Sequence, residues 1–165
     1  MKRFTCHTVL LVILLSITNF SFSQTFKFYQ TKNIHNQLRL NTKSGEVQQI
    51  QDDGQIFQVH PPATIENQIA DRYTLEKTEN MWTYILLDRY NGKLWQCQYS
   101  VKGTEYISSW EINSIPLSFT NTPKFSIQPM VSMYQFYLSN EETGEIWQFQ
   151  WTTKGDEYRW IKKIK

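Results

Sequence analysis

At 165 residues the chain has room for one domain, and 40% apolar, 15% aromatic and 19% charged residues with only 6 Gly and 5 Pro make a globular composition. Those proportions exclude a disordered chain and a fibrous one. A formal charge of +2 is too small to drive binding to nucleic acid or to an anionic membrane.

The N-terminus is built for export. Lys2 and Arg3 form a positive start, Thr8 to Ile17 an apolar run, and Ser21-Phe22-Ser23 supplies small residues before a cut at Gln24. This order is that of a secretory signal. Residues 1–23 are therefore expected to be a signal peptide and 24–165 a single exported domain, secreted, periplasmic or at the cell surface. The apolar run is short for a bilayer span, and Cys6 precedes it where a lipoprotein cysteine would end it. Without Lys2 and Arg3 the 17 basic side chains fall to 15, equal to the 15 acidic ones. A neutral domain is expected to seek neither nucleic acid nor, once the signal is gone, a membrane. Arg159, Lys162, Lys163 and Lys165 interleave with Trp160, Ile161 and Ile164 and read as a strand with a solvated end. Cys97 is the only cysteine beyond the signal, so no internal disulfide can form. Its alternation with polar neighbours in Trp95-Gln-Cys-Gln-Tyr99 places it at a buried apolar position.

The remainder is a threefold repeat. Phe26 to Gly45, Tyr73 to Gly92 and Phe125 to Gly144 align without a gap, and a second glycine (Gly54, Gly103, Gly155) closes each unit. The period is 47 and then 52 residues, which belongs to repeat architectures. The units run about 24–60, 71–113 and 123–165. Each reads as four strands. The first is Phe26–Tyr29, Tyr73–Glu76 or Phe125–Gln128, and the second covers 34–41, 81–88 or 133–140. Asn41, Asp88 or Asn140, four residues before a glycine, then makes a tight hairpin: the Asx side chain bonds the backbone ahead and Gly takes the positive φ. The third strand follows the glycine, and the fourth begins at Ile56, Tyr106 or Tyr158. No window after the signal shows a helical period. Ser114 to Pro123 separates the last two units.

The hairpin predicts which residues share a face. Leu86/Trp95, Tyr84/Cys97 and Trp82/Tyr99 lie together, as do Leu138/Trp147, Phe136/Phe149 and Tyr134/Trp151. The same face of the first unit carries Arg39/Gln48, Gln37/Ile50 and His35/Asp52, a polar end for a stack of sheets. The opposite face carries Leu40/Val47, Leu87/Leu94 and Ser139/Ile146, then three glutamine pairs: Gln49 and Gln51, Gln96 and Gln98, Gln148 and Gln150. These six either line a groove for a polar ligand or cap backbone groups between units. The binding reading selects Gln96, Gln98, Gln148 and Gln150, with Trp82 and Tyr134 stacking on the ligand.

The segment Leu87-Asp88-Arg-Tyr-Asn-Gly92-Lys-Leu-Trp95, with its counterpart ending at Trp147, resembles the Asp-x-x-Thr-Gly hairpin and following Trp of quinoprotein-type β-propeller blades. Here the Trp comes one residue sooner, and Gln48 replaces it in the first unit. The resemblance implies a four-stranded unit and no quinone chemistry. Three blades do not close a propeller, which usually has roughly four to eight. The expected fold is all-β: three four-stranded antiparallel repeats in a blade-like stack, open or completed by a dimer. A β-trefoil is the alternative.

No nucleophile elbow, Cys-x-x-Cys, His-Glu-x-x-His or phosphate loop is present. Asp52-Asp53-Gly54 reads as a turn, because the spacing of a calcium loop does not continue beyond it. Glu105 and Glu157 share one repeat column, whereas a glycosidase pair needs two different environments. No catalytic residue, metal or cofactor is expected. The leading expectation is an exported, non-enzymatic binding module for a glycan or a protein. A small extracytoplasmic hydrolase or enzyme inhibitor is the alternative, and a partner that completes itself as a homodimer or completes another β protein is the third.

Overall fold

A computed structural model describes residues 25–112 and 122–164. The expected signal, and nearly all of the connecting stretch from Ser114 to Pro123, lie outside the described residues. Twelve strands form three separate sheets. Sheet 1 holds β1 (Phe26–Gln30), β2 (Asn36–Asn41), β3 (Val47–Gln51) and β4 (Ile56–His60). Sheet 2 holds β5 (Tyr73–Lys77), β6 (Thr83–Asp88), β7 (Leu94–Gln98) and β8 (Ser108–Glu111). Sheet 3 holds β9 (Phe125–Pro129), β10 (Gln135–Asn140), β11 (Ile146–Gln150) and β12 (Trp160–Lys163).

Each sheet is an antiparallel meander of consecutive strands. Among the described residues there is no closed barrel, so the blade-like stack is the fold and the trefoil is set aside. The physical reason is local: both central strands of each unit are already paired on both sides by strands of their own unit. Among the described residues no strand of one unit pairs with a strand of another, as a barrel shared between units would require.

The hairpins form by the expected chemistry. Asn41 Oδ1 accepts hydrogen bonds from the backbone of Lys43 (3.0 Å) and Ser44 (3.3 Å), and Asn140 Oδ1 does the same for Glu142 and Thr143. Gly45 then turns the chain at φ +75°, where a Cβ would come within 2.8 Å of the Tyr73 ring. Glycine is required there on both counts. Strand pairing follows the predicted faces, with Leu86 opposite Trp95, Tyr84 opposite Cys97 and Phe136 opposite Phe149.

Two boundaries differ from expectation. The second strands begin at 36, 83 and 135 instead of two residues earlier, because turns intervene: Asn33, Asn80 and Ser132 accept from the backbone N–H three residues on. Tyr106 and Tyr158 end short 3-10 turns, Thr104–Tyr106 and Asp156–Tyr158, so the last strands start at Ser108 and Trp160. Asp and Thr residues after a glycine favour such a turn over an extended start.

Sheet 2 is the middle of the stack. All six residues of β6 are buried, since its alternate side chains face different neighbours. Tyr84 and Leu86, with Cys97 and Tyr99, pack on Leu38, Leu40 and Val47 of sheet 1. Ile85, Leu87 and Leu94 pack on Phe136, Leu138, Trp147, Phe149 and Trp151 of sheet 3. Each fully buried side chain of this size contributes about 1.5–3 kcal/mol, so the two junctions supply most of the hydrophobic stabilisation. Cys97 is wholly buried, and that burial pushes its thiol pKa up; it packs as an apolar residue.

One ion pair is buried at the first junction. Arg72 Nε and Nη2 donate to Asp88 Oδ2 at 2.9 and 2.6 Å, and both side chains are almost fully enclosed. The same columns in the other units carry Thr25 with Asn41 and Lys124 with Asn140. The hairpin acid is charged only where an arginine faces it. Asp88→Ala removes the carboxylate that faces a buried guanidinium and is expected to cost about 3–5 kcal/mol. Glu111→Ala, which opens the exposed Lys93–Glu111 pair, is expected to cost under about 1 kcal/mol. Urea denaturation of both variants checks the contrast.

His60, the last residue of β4, crosses to sheet 2: its Nδ1 lies 2.9 Å from Ser109 Oγ and its ring 5.0 Å from that of Trp95. Burial lowers its pKa from 6.5 to about 4. The folded pKa is below the unfolded one, so the unfolded chain takes up the proton first. Stability is expected to be full above about pH 6.5 and to fall as the pH drops toward about 4. Denaturation midpoints across that window should show the slope, and His60→Gln should flatten it.

Candidate functional site

The six residues that the sequence singles out divide between two kinds of place. Trp82 and Gln98 line a cleft of about 300 Å³ at one end of sheet 2, walled also by Tyr99, Val101, Lys102 and Tyr106. Tyr134 and Gln150 line a cleft of about 180 Å³ at the same end of sheet 3, with Trp151, Thr153, Lys154 and Tyr158. Position for position, the second cleft is the first one repeat later.

Local structure explains why both units build it. The backbone N–H of Tyr99 bonds the carbonyl of Trp82 at 3.1 Å, and that of Trp151 bonds Tyr134 at 3.0 Å. The two aromatic rings of each cleft are thereby brought together, with centroids 5.3 Å apart in sheet 2 and 5.0 Å in sheet 3. Gln98 Nε2 donates to the Tyr106 carbonyl at 3.2 Å and Gln150 Nε2 to the Tyr158 carbonyl at 3.1 Å. The glutamines thus pin the 3-10 turns that carry Tyr106 and Tyr158 to the cleft rim. A lysine ammonium completes each wall, and that of Lys154 lies 5.4 Å from the centroid of the Tyr158 ring. The result is an apolar floor with amide and ammonium groups at its edge, suited to a ligand with both polar and apolar faces.

The first unit lacks the residues that line these clefts. Its loop from Gln51 to Gly54 is two residues shorter than Gln98 to Gly103, and His35 and Asp52 replace the aromatic pair. Those two side chains meet instead, His35 Nδ1 to Asp52 Oδ2 at 2.6 Å, in an exposed pair.

Gln96 lies elsewhere, on the face between sheets 2 and 3, and Gln148 lies on the outer face of sheet 3. Gln96 is 1% exposed. Its Nε2 donates to the Thr152 carbonyl at 2.7 Å, while its Oε1 accepts from the Thr152 N–H at 3.2 Å and from Arg159 Nε at 3.3 Å. Gln49, 0% exposed, makes the same pair of bonds to Ser100, at 2.7 and 3.2 Å. The amide of Gln96 is thus engaged by sheet 3 and enclosed between the two sheets. Gln148 occupies the same column on sheet 3, where no further sheet follows; its Nε2 donates to Gln135 Oε1 at 3.0 Å.

Sequence reasoning thus placed four of its residues in the clefts and missed Lys102, Lys154, Tyr106 and Tyr158. Their signal was available, since each pair shares a repeat column, but the turns that aim them inward are not marked by periodicity. Glu105 and Glu157 are both exposed within those turns, one in each unit, and neither lines either cleft. Among the described residues no group of three or more His, Cys, Asp or Glu converges as a metal site would.

No family model matches the chain, and no curated protein or solved structure matches it.

The two buried clamps and the open one separate in a stability measurement. Gln96→Ala leaves the Thr152 N–H and carbonyl buried without partners, a loss of about 1–3 kcal/mol. Gln148→Ala at the solvent-facing end is expected to stay within about 0.5 kcal/mol. Denaturant midpoints of the two variants, compared at equal low protein concentration, check this.

Proposed function

We propose that the protein is an exported, non-enzymatic binding module whose two equivalent clefts hold units of a glycan. The observation that carries the reading is the duplication itself: two clefts with the same aromatic, glutamine, lysine and tyrosine positions. Packing alone requires the buried rings of Tyr99 and Trp151. It does not require a half-exposed aromatic beside a lysine and a tyrosine at the same point of each repeat. Sugar rings present apolar C–H faces and polar edges. Trp82 and Tyr134 offer a surface for the first, and Gln98, Gln150, Lys102 and Lys154 offer hydrogen-bonding partners for the second. Two clefts on one rigid stack would engage two units of the same polymer, so that weak single sites add through effective concentration. Export rests on the order of charged, apolar and small residues over 1–23.

A panel of soluble polysaccharides titrated against the protein, read by tryptophan fluorescence and calorimetry, tests the reading. Trp82→Ala and Tyr134→Ala should each weaken binding about tenfold, and the double variant should abolish it. If no polysaccharide binds, or if both variants bind as the parent does, the clefts are not a glycan site.

A further inference from the structure

The two ends of the stack are unlike, and they are complementary in the sense that matters for assembly. At each internal junction a glutamine of one sheet grips the backbone of a loop in the next: Gln49 grips Ser100 and Gln96 grips Thr152. Sheet 3 presents the third glutamine of this column, Gln148. Its amide is held by Gln135 as that of Gln49 is held by Asn36. Among the described residues no backbone group fills its grip.

The residue beside each grip varies in a way that indicates what enters. Phe57 lies opposite Gln49, Trp110 opposite Gln96 and Lys162 opposite Gln148 across the last strand pair of each sheet. The aromatic neighbours meet an apolar or cationic side chain from the incoming loop. Ile107 lines one hollow with Phe57, and the Arg159 guanidinium stands 5.0 Å from the centroid of the Trp110 ring. Lys162 is suited to an acidic loop instead. The loop residue that would fill the grip, Asp53, the repeat counterpart of Ser100 and Thr152, lies in such an acidic loop, Asp52-Asp53-Gly54 on sheet 1. No hydrogen bond to the Asp53 backbone N–H or carbonyl occurs among the described residues.

The otherwise polar outer face of sheet 1, which carries Arg39, Gln37 and Gln48, also presents two aromatic side chains for such a contact. Phe26 and Phe28 occupy the columns by which Tyr73 and Leu75 pack on sheet 1. They remain on its outer face, with Phe28 57% exposed. We propose that the outer face of sheet 3 is a socket for sheet 1 of a second copy of this chain, joined head to tail. Gln148 grips the Asp53 backbone and Lys162 pairs with the Asp53 carboxylate. This junction would continue the two that already hold the stack together. Such a contact is heterologous, and two copies closed on each other would bring six sheets into one ring, within the roughly four to eight of closed propellers. The inference does not depend on the glycan reading, because it uses the sheet faces and not the clefts.

Sedimentation velocity over a concentration series tests it. The protein is expected to run at twice its monomer mass, with association weakened by salt. Lys162→Glu and Asp53→Lys should each shift it toward monomer, and combining them should restore the dimer. Gln148→Ala should raise the dissociation constant about tenfold. All three positions are solvent-facing in the single chain, and far-ultraviolet dichroism confirms that the variants fold. A monomer at every concentration overturns the proposal. So does a dimer that all three single variants leave unchanged, since it would be built on another surface. A higher-order chain in place of a closed pair would keep the junction and overturn the ring.

Discussion

Backbone groups enclosed between two sheets must find partners, and at each junction of this protein a glutamine amide supplies both for one loop residue. One carboxamide offers a donor and an acceptor in a fixed plane, so it can satisfy the N–H and the carbonyl of one residue together. Gln49 does this for Ser100 and Gln96 for Thr152. The bonds also set how one sheet sits on the next. A hydrophobic face alone tolerates sliding; a two-point grip on one backbone residue does not. Everything else at the junctions is arranged around that fixed point, including the aromatic packing of Tyr84 and Tyr99 on one side and of Phe149 and Trp151 on the other.

The repeats diverge where their surroundings differ, and they do so in pairs. Asp88 is an acid because Arg72 stands against it, while Asn41 and Asn140 keep the turn-forming amide where no arginine is present. Trp110 lies under Arg159, and Phe57 shares a hollow with Ile107. The first unit replaces an aromatic pair with His35 and Asp52, which pair with each other where no sheet of the same chain precedes them. Middle, first and last sheets are thus one design adjusted to three different sets of neighbours.

The same construction holds the walls of the clefts. Each lies beside the turn whose backbone the preceding glutamine holds, Ser100 in one case and Thr152 in the other, so the junction bonds fix one wall of each cleft. Gln98 and Gln150 fix another wall through the Tyr106 and Tyr158 carbonyls. Rigid support of this kind lowers the entropy lost when a ligand is held. The first unit, with its shorter loop, has neither the 3-10 turn nor the aromatic pair.

The sequence by itself determined the strands, the hairpins and the pairing within each sheet. Alternation of side chains has a period of two, and the Asx-to-Gly spacing fixes where pairing starts, so both are local properties of a few neighbouring residues. It determined too that Trp82 with Gln98, and Tyr134 with Gln150, would recur as equivalents. It did not distinguish Gln96 from Gln98, because two residues on one face of one strand look alike until a second sheet covers one and leaves the other at the rim. That choice, the burial of both faces of β6, and the enclosure of Arg72 with Asp88 belong to the tertiary structure. They depend on which sheet lies on which, and residues about 50 positions apart meet only when whole sheets stack.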